Sequence, residues 1–281
     1  MAFRSLLFVP GDRPDRYAKA KAGGADAVCV DLEDAVAPLQ KTTARAAVAE
    51  GWLAADDAVS PLRGIRINAL STHAGFEDVA LMGKTLNAAA FVMIPKVQHR
   101  HELDILRTAL GQASPSVHGQ CPGLWPIIES ACGLEAAYAI AAAPGVAGVL
   151  FGGADFSADI GSTMDWEALS YARGRLAAAC GAAGVQLLDV PYLDVRDAEG
   201  LKASTMRAKA LGFTGRACIH PDQIASVNAV FSPTVDEIAK ARRIIAALHE
   251  ANGAAALLDG KLIERPVILA AQRVLDRAGV M

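Results

Sequence analysis

The feature that most constrains this chain is a rhythm. Short, mostly apolar, β-rich runs begin near Ser5, Ala27, Gly64, Ala89, Gly123, Gly148, Val185 and Gly215, roughly 30 residues apart, each followed by an alanine-rich stretch of helical period. That spacing accommodates a strand, a loop, a helix and a return loop, a unit that makes neighbouring strands parallel and covers both faces of the sheet. Runs such as Ala27-Val28-Cys29-Val30 and Ala90-Phe91-Val92-Met93-Ile94 are apolar without alternation, as strands buried on both faces must be. Eight such units predict an α/β chain closed into a (β/α)8 TIM barrel.

The helices carry their own signals. Leu169, Ala172, Leu176 and Ala179 fall on one helical stripe, with Gly181 and Gly184 marking its end. Thr234-Val235-Asp236-Glu237 is a capping box followed by Ile238, Ala241, Ile245 and Leu248 on one face, with Gly253 as the stop, and reads as the eighth barrel helix. This assigns residues 1–253 to a barrel catalytic domain and 254–281 to a short C-terminal helical appendage or lid. The uncharged stretch from Ala136 to Ala154 is broken by Pro144-Gly145 and Gly152-Gly153, so it reads as helix, turn and strand rather than a membrane span.

Composition removes several function classes. With 53% hydrophobic and 20% charged residues, the chain is too apolar for extended disorder. Its 27 basic and 30 acidic side chains leave a net charge of −3, which gives no attraction to nucleic acid or to an anionic membrane. The apolar start closes at Pro10-Gly11 and reads as a first strand, not a secretory signal. The cysteines Cys29, Cys121, Cys132, Cys180 and Cys218 are odd in number and scattered in apolar sequence, which predicts core thiols in a reducing, cytoplasmic compartment.

In such a barrel the functional groups lie at the C-terminal ends of the strands. Acids dominate there: Asp31-Leu32-Glu33-Asp34 after the second run, Glu129 in Pro126-Ile127-Ile128-Glu129-Ser130, and Asp155 in Phe151-Gly152-Gly153-Ala154-Asp155. Carboxylates converging on one mouth repel each other unless a cation neutralises them. Oxygen-only ligands suit Mg²⁺, which takes one or two carboxylates and fills its other positions with water or substrate oxygens. Glu129 and Asp155 are then the expected metal ligands, and Glu33 and Asp34 would hold metal-bound waters. The same acids equally suit capping helices or pairing with arginine.

Other strand ends add cations. Arg66 in Ile65-Arg66-Ile67-Asn68 offers a planar fork to a carboxylate or developing oxyanion, although a salt bridge to the neighbouring acids serves it as well. Lys96 in Ile94-Pro95-Lys96 fits a Schiff-base role or, more commonly, a counter-ion. His220 in Cys218-Ile219-His220-Pro221 reads as a structural histidine, and His99 and His101 as solvated ones. Arg13, Arg16 and Lys19 after the first run suit phosphates or a solvated helix, and Pro10-Gly11-Asp12-Arg13 is neither a P-loop nor a dinucleotide fingerprint.

Taken together, Arg4-Ser-Leu-Leu-Phe-Val-Pro-Gly11, Asp31-Leu-Glu-Asp-Ala-Val36, Arg66-Ile-Asn68, Ile94-Pro-Lys-Val97, Pro126-Ile-Ile-Glu-Ser130, Gly152-Gly-Ala-Asp-Phe156, Cys218-Ile-His-Pro221 and Asp259-Gly-Lys-Leu-Ile263 make the chain resemble the citrate lyase β-subunit family. That family sits within the wider group of malyl-CoA and citramalyl-CoA lyases. The resemblance runs from end to end. It implies a barrel holding Mg²⁺ on Glu129 and Asp155, with Arg66 on the reacting carbonyl and enolate oxygens, and Arg13 and Lys19 meeting coenzyme A phosphates. It also implies a homotrimer in which the C-terminal tail reaches a neighbouring subunit's mouth with a proton-transferring aspartate. Here that residue is Glu264, whose extra methylene moves the carboxylate by about 1 Å.

The expectation is therefore a Mg²⁺-dependent carbon–carbon lyase that cleaves or forms a citryl-, malyl- or citramalyl-type thioester, giving a 2-oxo acid such as oxaloacetate and an acyl thioester. Its carrier is coenzyme A or an acyl carrier protein, and it acts alone or among citrate lyase subunits. Two alternatives stand beside it: a hydroxyacyl-CoA thioesterase on the same scaffold, and a non-catalytic coenzyme A-binding subunit.

Overall fold

Eight strands form a closed parallel barrel in the computed structural model, which describes residues 3–53, 61–86, 88–113, 122–250 and 256–279. They are β1 (Ser5–Pro10), β2 (Ala27–Asp31), β3 (Leu62–Arg66), β4 (Phe91–Ile94), β5 (Gly123–Ile128), β6 (Gly148–Phe151), β7 (Gln186–Asp189) and β8 (Gly215–Cys218). Each pairs with the next, and β8 returns to β1 with Cys218 opposite Leu7. The starts of β3, β4 and β7 differ slightly from the expected positions, because Leu62-Arg63 pairs despite its polar arginine while Ala89-Ala90 still belongs to a turn. The intervening helices are α1 (Tyr17–Lys21), α2 (Lys41–Ala47), α3 (His73–Leu86), α4 (Arg100–Ala113), α5 (Ala131–Glu135), α6 (Ala137–Ala141), α7 (Gly153–Ile160), α8 (Ser170–Ala183), α9 (Ala198–Leu211) and α10 (Ile224–Phe231). The stripe Ala172, Leu176 and Ala179 of α8 is buried together with Leu169 at its N-cap, and Gly184 ends the helix in the left-handed conformation, whereas Gly181, also expected at the end, lies inside it.

The barrel floor is aromatic. Phe3 stacks on Trp125 with ring centroids 4.6 Å apart and lies 5.5 Å from Phe91. Two glycines make room for these rings: a Cβ at Gly64 would meet Phe91 at 2.1 Å, and one at Gly148 would meet Trp125 at 2.3 Å. The cluster Asp31, Glu33, Arg66 and Glu129 lies at the opposite end, where the strands terminate. Between the barrel and its helices, Asp189 holds two buried guanidiniums, Arg173 at 3.0 Å and Arg216 on its other oxygen, while Arg216 also donates to Ser204 at 2.9 Å.

The chain divides into two compact units, Met1–Asn228 and Ala229–Met281. Helix α11 (Val235–Glu250) therefore groups with the C-terminal segment, whereas the sequence placed it in the barrel. Its capping box forms, with Glu237 N donating to Thr234 Oγ1 at 3.1 Å and Thr234 N to Glu237 Oε2 at 2.8 Å. Its buried face centres on Ala241 and Ile244, and it packs with Ile263, Ala271 and Leu275 into a small core of its own. A hairpin of β9 (Ala256–Leu258) and β10 (Lys261–Ile263) turns at Asp259-Gly260, both with positive φ, the geometry a two-residue primed turn demands. Arg243 Nη2 donates to both Asp259 carboxylate oxygens, at 2.6 and 2.8 Å, and α12 (Arg265–Ala278) follows.

The cysteines divide. Cys29, Cys180 and Cys218 are buried, and burial pushes the Cys180 and Cys218 thiols up to about 12. Cys132 corrects the expectation of core thiols: it is exposed on α5, whose buried face is taken by Gly133 and Leu134. Cys121 lies outside the described residues. Among the described residues, no helix is long and apolar enough to cross a membrane.

The floor makes a direct prediction. Gly148→Ala forces Trp125 to move and is expected to lower stability by about 1–3 kcal/mol, read as a shifted urea midpoint at unchanged slope. An unshifted midpoint would mean that the ring does not need that space.

Candidate active site

The mouth is organised by adjacent strand ends. Asp31 closes β2 directly opposite Arg66, which closes β3. The Arg66 fork donates through Nε at 2.7 Å and Nη2 at 2.5 Å to the two Asp31 oxygens. The same carboxylate accepts from Glu33 N at 2.8 Å and Ala35 N at 3.0 Å, so it also shapes the loop after β2. Arg66 lies over the Phe8 ring, 5.0 Å from its centroid, and its Nη1 reaches Glu33 Oε2 at 3.1 Å and Asp34 at 4.0 Å. Burial works against the guanidinium, but the Asp31 hydrogen bonds and the surrounding negative charge outweigh it and raise its pKa further. Arg66 therefore makes the salt bridge that the sequence offered as one of its two roles.

Glu33 lies between two cations. Its Oε1 accepts from Lys96 Nζ at 2.8 Å, and Asp34 lies 3.7 Å from the same ammonium. Its Oε2, within ion-pair distance of Arg66, has no aligned hydrogen-bond donor. Burial raises the Glu33 pKa against the pull of Arg66 and Lys96. For Lys96, burial would lower the pKa, but the Glu33 bond and neighbouring carboxylates win and raise it. Lys96 has the arrangement of a counter-ion. It is also one of two described non-glycine residues with positive φ, at 56°, and that strained backbone turns its N–H onto Glu129 Oε1 at 2.6 Å.

Glu129, at the end of β5, is 5% exposed, and burial together with the charges of Glu33 and Asp155 pushes it up to about 8. Gly152, which precedes α7, makes its position possible, because a Cβ there would stand 2.4 Å from Glu129 Oε2. Asp155 is in the first turn of α7, and with Glu129, Lys96, Ser130 and Asp159 it lines an open cavity of 460 Å³. Asp159 is occupied in accepting from Ala131 N at 2.8 Å. Among the described residues no group of three or more His, Cys, Asp or Glu side chains forms a ready-made metal cage. Mg²⁺ does not require one: two carboxylates plus exchangeable oxygens suffice, and the desolvated Glu129 beside Asp155 gains from a nearby cation. The donor set therefore fits a magnesium ion.

A second open cavity, of 690 Å³, lies at the ends of β1 and β8, lined by Phe8, Arg16, Lys19, Asp31, Ile219 and His220 among others. Lys19 and Arg16 line it, whereas Arg13 is exposed and forks onto Asp15 at 2.9 and 2.7 Å. His220 accepts from Asp222 N at 3.3 Å and caps the turn that follows β8. Glu264 belongs to the C-terminal unit, where it is exposed at the N-terminus of α12 with no capping bond from its side chain. Asp31 is the member of the acidic motif that the sequence does not single out, and only its place as the last residue of β2, opposite Arg66, identifies it.

Comparison with known proteins agrees with this architecture. Residues 4–221 match the family model described as HpcH/HpaI aldolase/citrate lyase, and residues 166–281 match one for a carbon–carbon bond lyase of the TIM-barrel fold. The chain is similar to a (3S)-malyl-CoA thioesterase from Cereibacter sphaeroides, 34% identical over 98% of this chain and 94% of that one. It is 35% identical to the citrate lyase subunit beta of Leuconostoc mesenteroides, over 98% of this chain and 93% of that one. The crystal structure of CitE from Mycobacterium tuberculosis in complex with magnesium, acetoacetate and coenzyme A superposes with a TM-score of 0.80 at 32% identity, covering 99% of this chain and 98% of that one. With a closed parallel barrel, an acidic mouth and this extent of similarity, the chain is an enzyme of the HpcH/HpaI aldolase/citrate lyase family.

Proposed function

We propose that the protein is a Mg²⁺-dependent carbon–carbon lyase that cleaves, or in reverse forms, a carboxylated 3-hydroxyacyl thioester. The products of cleavage are a 2-oxo acid and an acyl thioester. The observation that carries this reading is Glu129, a buried carboxylate pushed up to about 8 that shares its cavity with Asp155. A relative that binds magnesium and coenzyme A supports it.

Glu129 and Asp155 would hold the ion, and Glu33 and Asp34 would accept hydrogen bonds from its waters. When bound, the ion supplies Lewis acidity to the carbonyl of a chelating 2-oxo acid and fixes its orientation. Arg66, kept charged and immobile by Asp31, stabilises the negative charge that reaches the thioester oxygen as the carbon–carbon bond breaks and the hydroxyl passes its proton to water in the open mouth, from which Glu264 regains a proton after each turnover. Glu264, from the tail of a neighbouring copy in a homotrimer, then protonates the enolate carbon, or removes a proton from it in the reverse direction. Lys19, with Arg16 beside it and Arg13 once released from Asp15, meets the phosphates of a coenzyme A carrier.

A thioesterase reading is favoured by one observation, the similarity to a malyl-CoA thioesterase. The two readings differ in products. A lyase converts malyl-CoA or citramalyl-CoA into a 2-oxo acid and an acyl-CoA, while a thioesterase releases free hydroxy acid and coenzyme A.

Three outcomes test the site. Glu129→Gln or Asp155→Ala is expected to abolish cleavage that EDTA inhibits in the parent enzyme, and undiminished turnover in either variant rules out the metal assignment. Arg66→Met is expected to lower kcat by about 10²–10³, and a change confined to KM would remove it from the transition state. Glu264→Gln should slow both cleavage and hydrogen–deuterium exchange at the acyl-CoA α-carbon while leaving thioester affinity intact. Normal exchange in that variant would assign the proton transfer to another group.

A further inference from the structure

The acidic loop after β2 is tied down by a lysine that the chemistry above does not use. Lys41, the first residue of α2, turns its Nζ back to the carbonyl oxygens of Leu32 at 2.8 Å and Glu33 at 2.9 Å. Those two carbonyls belong to the two peptide planes that flank the Glu33 Cα. Each plane is rigid, so fixing both fixes the backbone dihedrals of Glu33 and the direction in which its side chain leaves the loop. The Glu33 N–H is already held by Asp31 Oδ1. The side chain so directed accepts from Lys96 at 2.8 Å and meets Arg66 at 3.1 Å.

The anchor is backed by a buried network. The Leu32 carbonyl also accepts from Asn68 Nδ2 at 3.0 Å. Asn68 is held in turn by Asp78, which is fully buried and accepts from both its backbone N and its Nδ2 at 2.7 Å. Arg45 closes the far side, donating to Asp78 at 2.6 Å and reaching Glu77 at 3.0 Å. A separate observation concerns the helix itself. A cation at a helix N-terminus opposes the macrodipole, and the first turn of α2 carries no acid to offset it. The position of Lys41 therefore works against its own helix and in favour of the loop.

We propose that Lys41 is a positioning residue that acts through Glu33, locking the two flanking peptide planes so that the Glu33 carboxylate stands between Lys96 and Arg66. Its kinetic consequence rests on the lyase reading above, whereas its structural consequence does not. The test uses Lys41→Met and Lys41→Arg in the full-length protein. Hydrogen–deuterium exchange of the peptide covering residues 31–36 is expected to speed up by about tenfold in Lys41→Met, with the rest of the barrel unchanged and protection largely restored in Lys41→Arg. Unchanged exchange in Lys41→Met, or exchange raised evenly throughout the barrel, overturns the proposal. In turnover of malyl-CoA or citramalyl-CoA, Lys41→Met is expected to lower kcat by about 10–100-fold, with recovery in Lys41→Arg. In a Glu33→Gln background the same substitution should cost less than about threefold, because the residue it works through is already gone. Fully multiplicative losses would show that Lys41 does not act through Glu33. Absence of turnover of citryl-, malyl- and citramalyl-CoA alike in the parent enzyme would sink the lyase reading alone and leave the exchange measurement to decide this one.

Discussion

The mouth of this barrel depends on one carboxylate. Asp31 and Arg66 are register partners on adjacent parallel strands, so their side chains meet without any loop having to bring them together. A forked, charge-assisted pair with both partners largely desolvated is worth having only when every remaining donor and acceptor is satisfied. Asp31 meets that condition by also accepting from Glu33 N and Ala35 N. The position of Arg66, the shape of the acidic loop and, through Glu33, the placement of the Lys96 ammonium all follow from that pair.

The two ends of the barrel obey different physics. At the floor, Phe3, Phe91 and Trp125 fill the lumen by shape alone, and the glycines of β3 and β6 provide the space. At the mouth, charge decides: Asp31, Glu33 and Asp34 pair with Arg66 and Lys96, while Glu129 and Asp155 add further negative charge beside them. Excess negative charge held in a partly desolvated place is costly to the fold, and such imbalance is characteristic of a site built for a ligand rather than for stability. The Arg173–Asp189–Arg216 cluster differs in place and sign: it lies between barrel and helices, straps β7 and β8 to α8 and α9, and carries two guanidiniums on one carboxylate.

Much of this was legible in the sequence because the governing signals are local. Strands with a buried apolar centre stand out even where a polar residue interrupts them, as in β3, β7 and β8, so all eight were legible, and the stripe of α8 and the capping box of α11 depend only on residues a few positions apart. What escaped was set by tertiary partners. A capping box says where a helix begins but not what it packs on, and α11 groups with the tail rather than with the barrel. Cys132 sits in apolar sequence yet faces solvent, because a five-residue helix has only one inward side. Asp31 was passed over for Glu33 and Asp34, since nothing in the order Asp-Leu-Glu-Asp tells which acid ends the strand opposite an arginine. The positive φ of Lys96 is likewise invisible in Pro95-Lys96 and follows from its obligation to Glu129.

The aromatic floor has one more implication. With its lumen packed by side chains, the barrel admits a molecule at the mouth, and one lodged against the carboxylates beneath a second must enter first and depart last. If a small acid rests against the carboxylates while a bulky carrier lies across the rim, the carrier becomes its gatekeeper, and the order of binding and release is dictated by architecture before any chemistry begins.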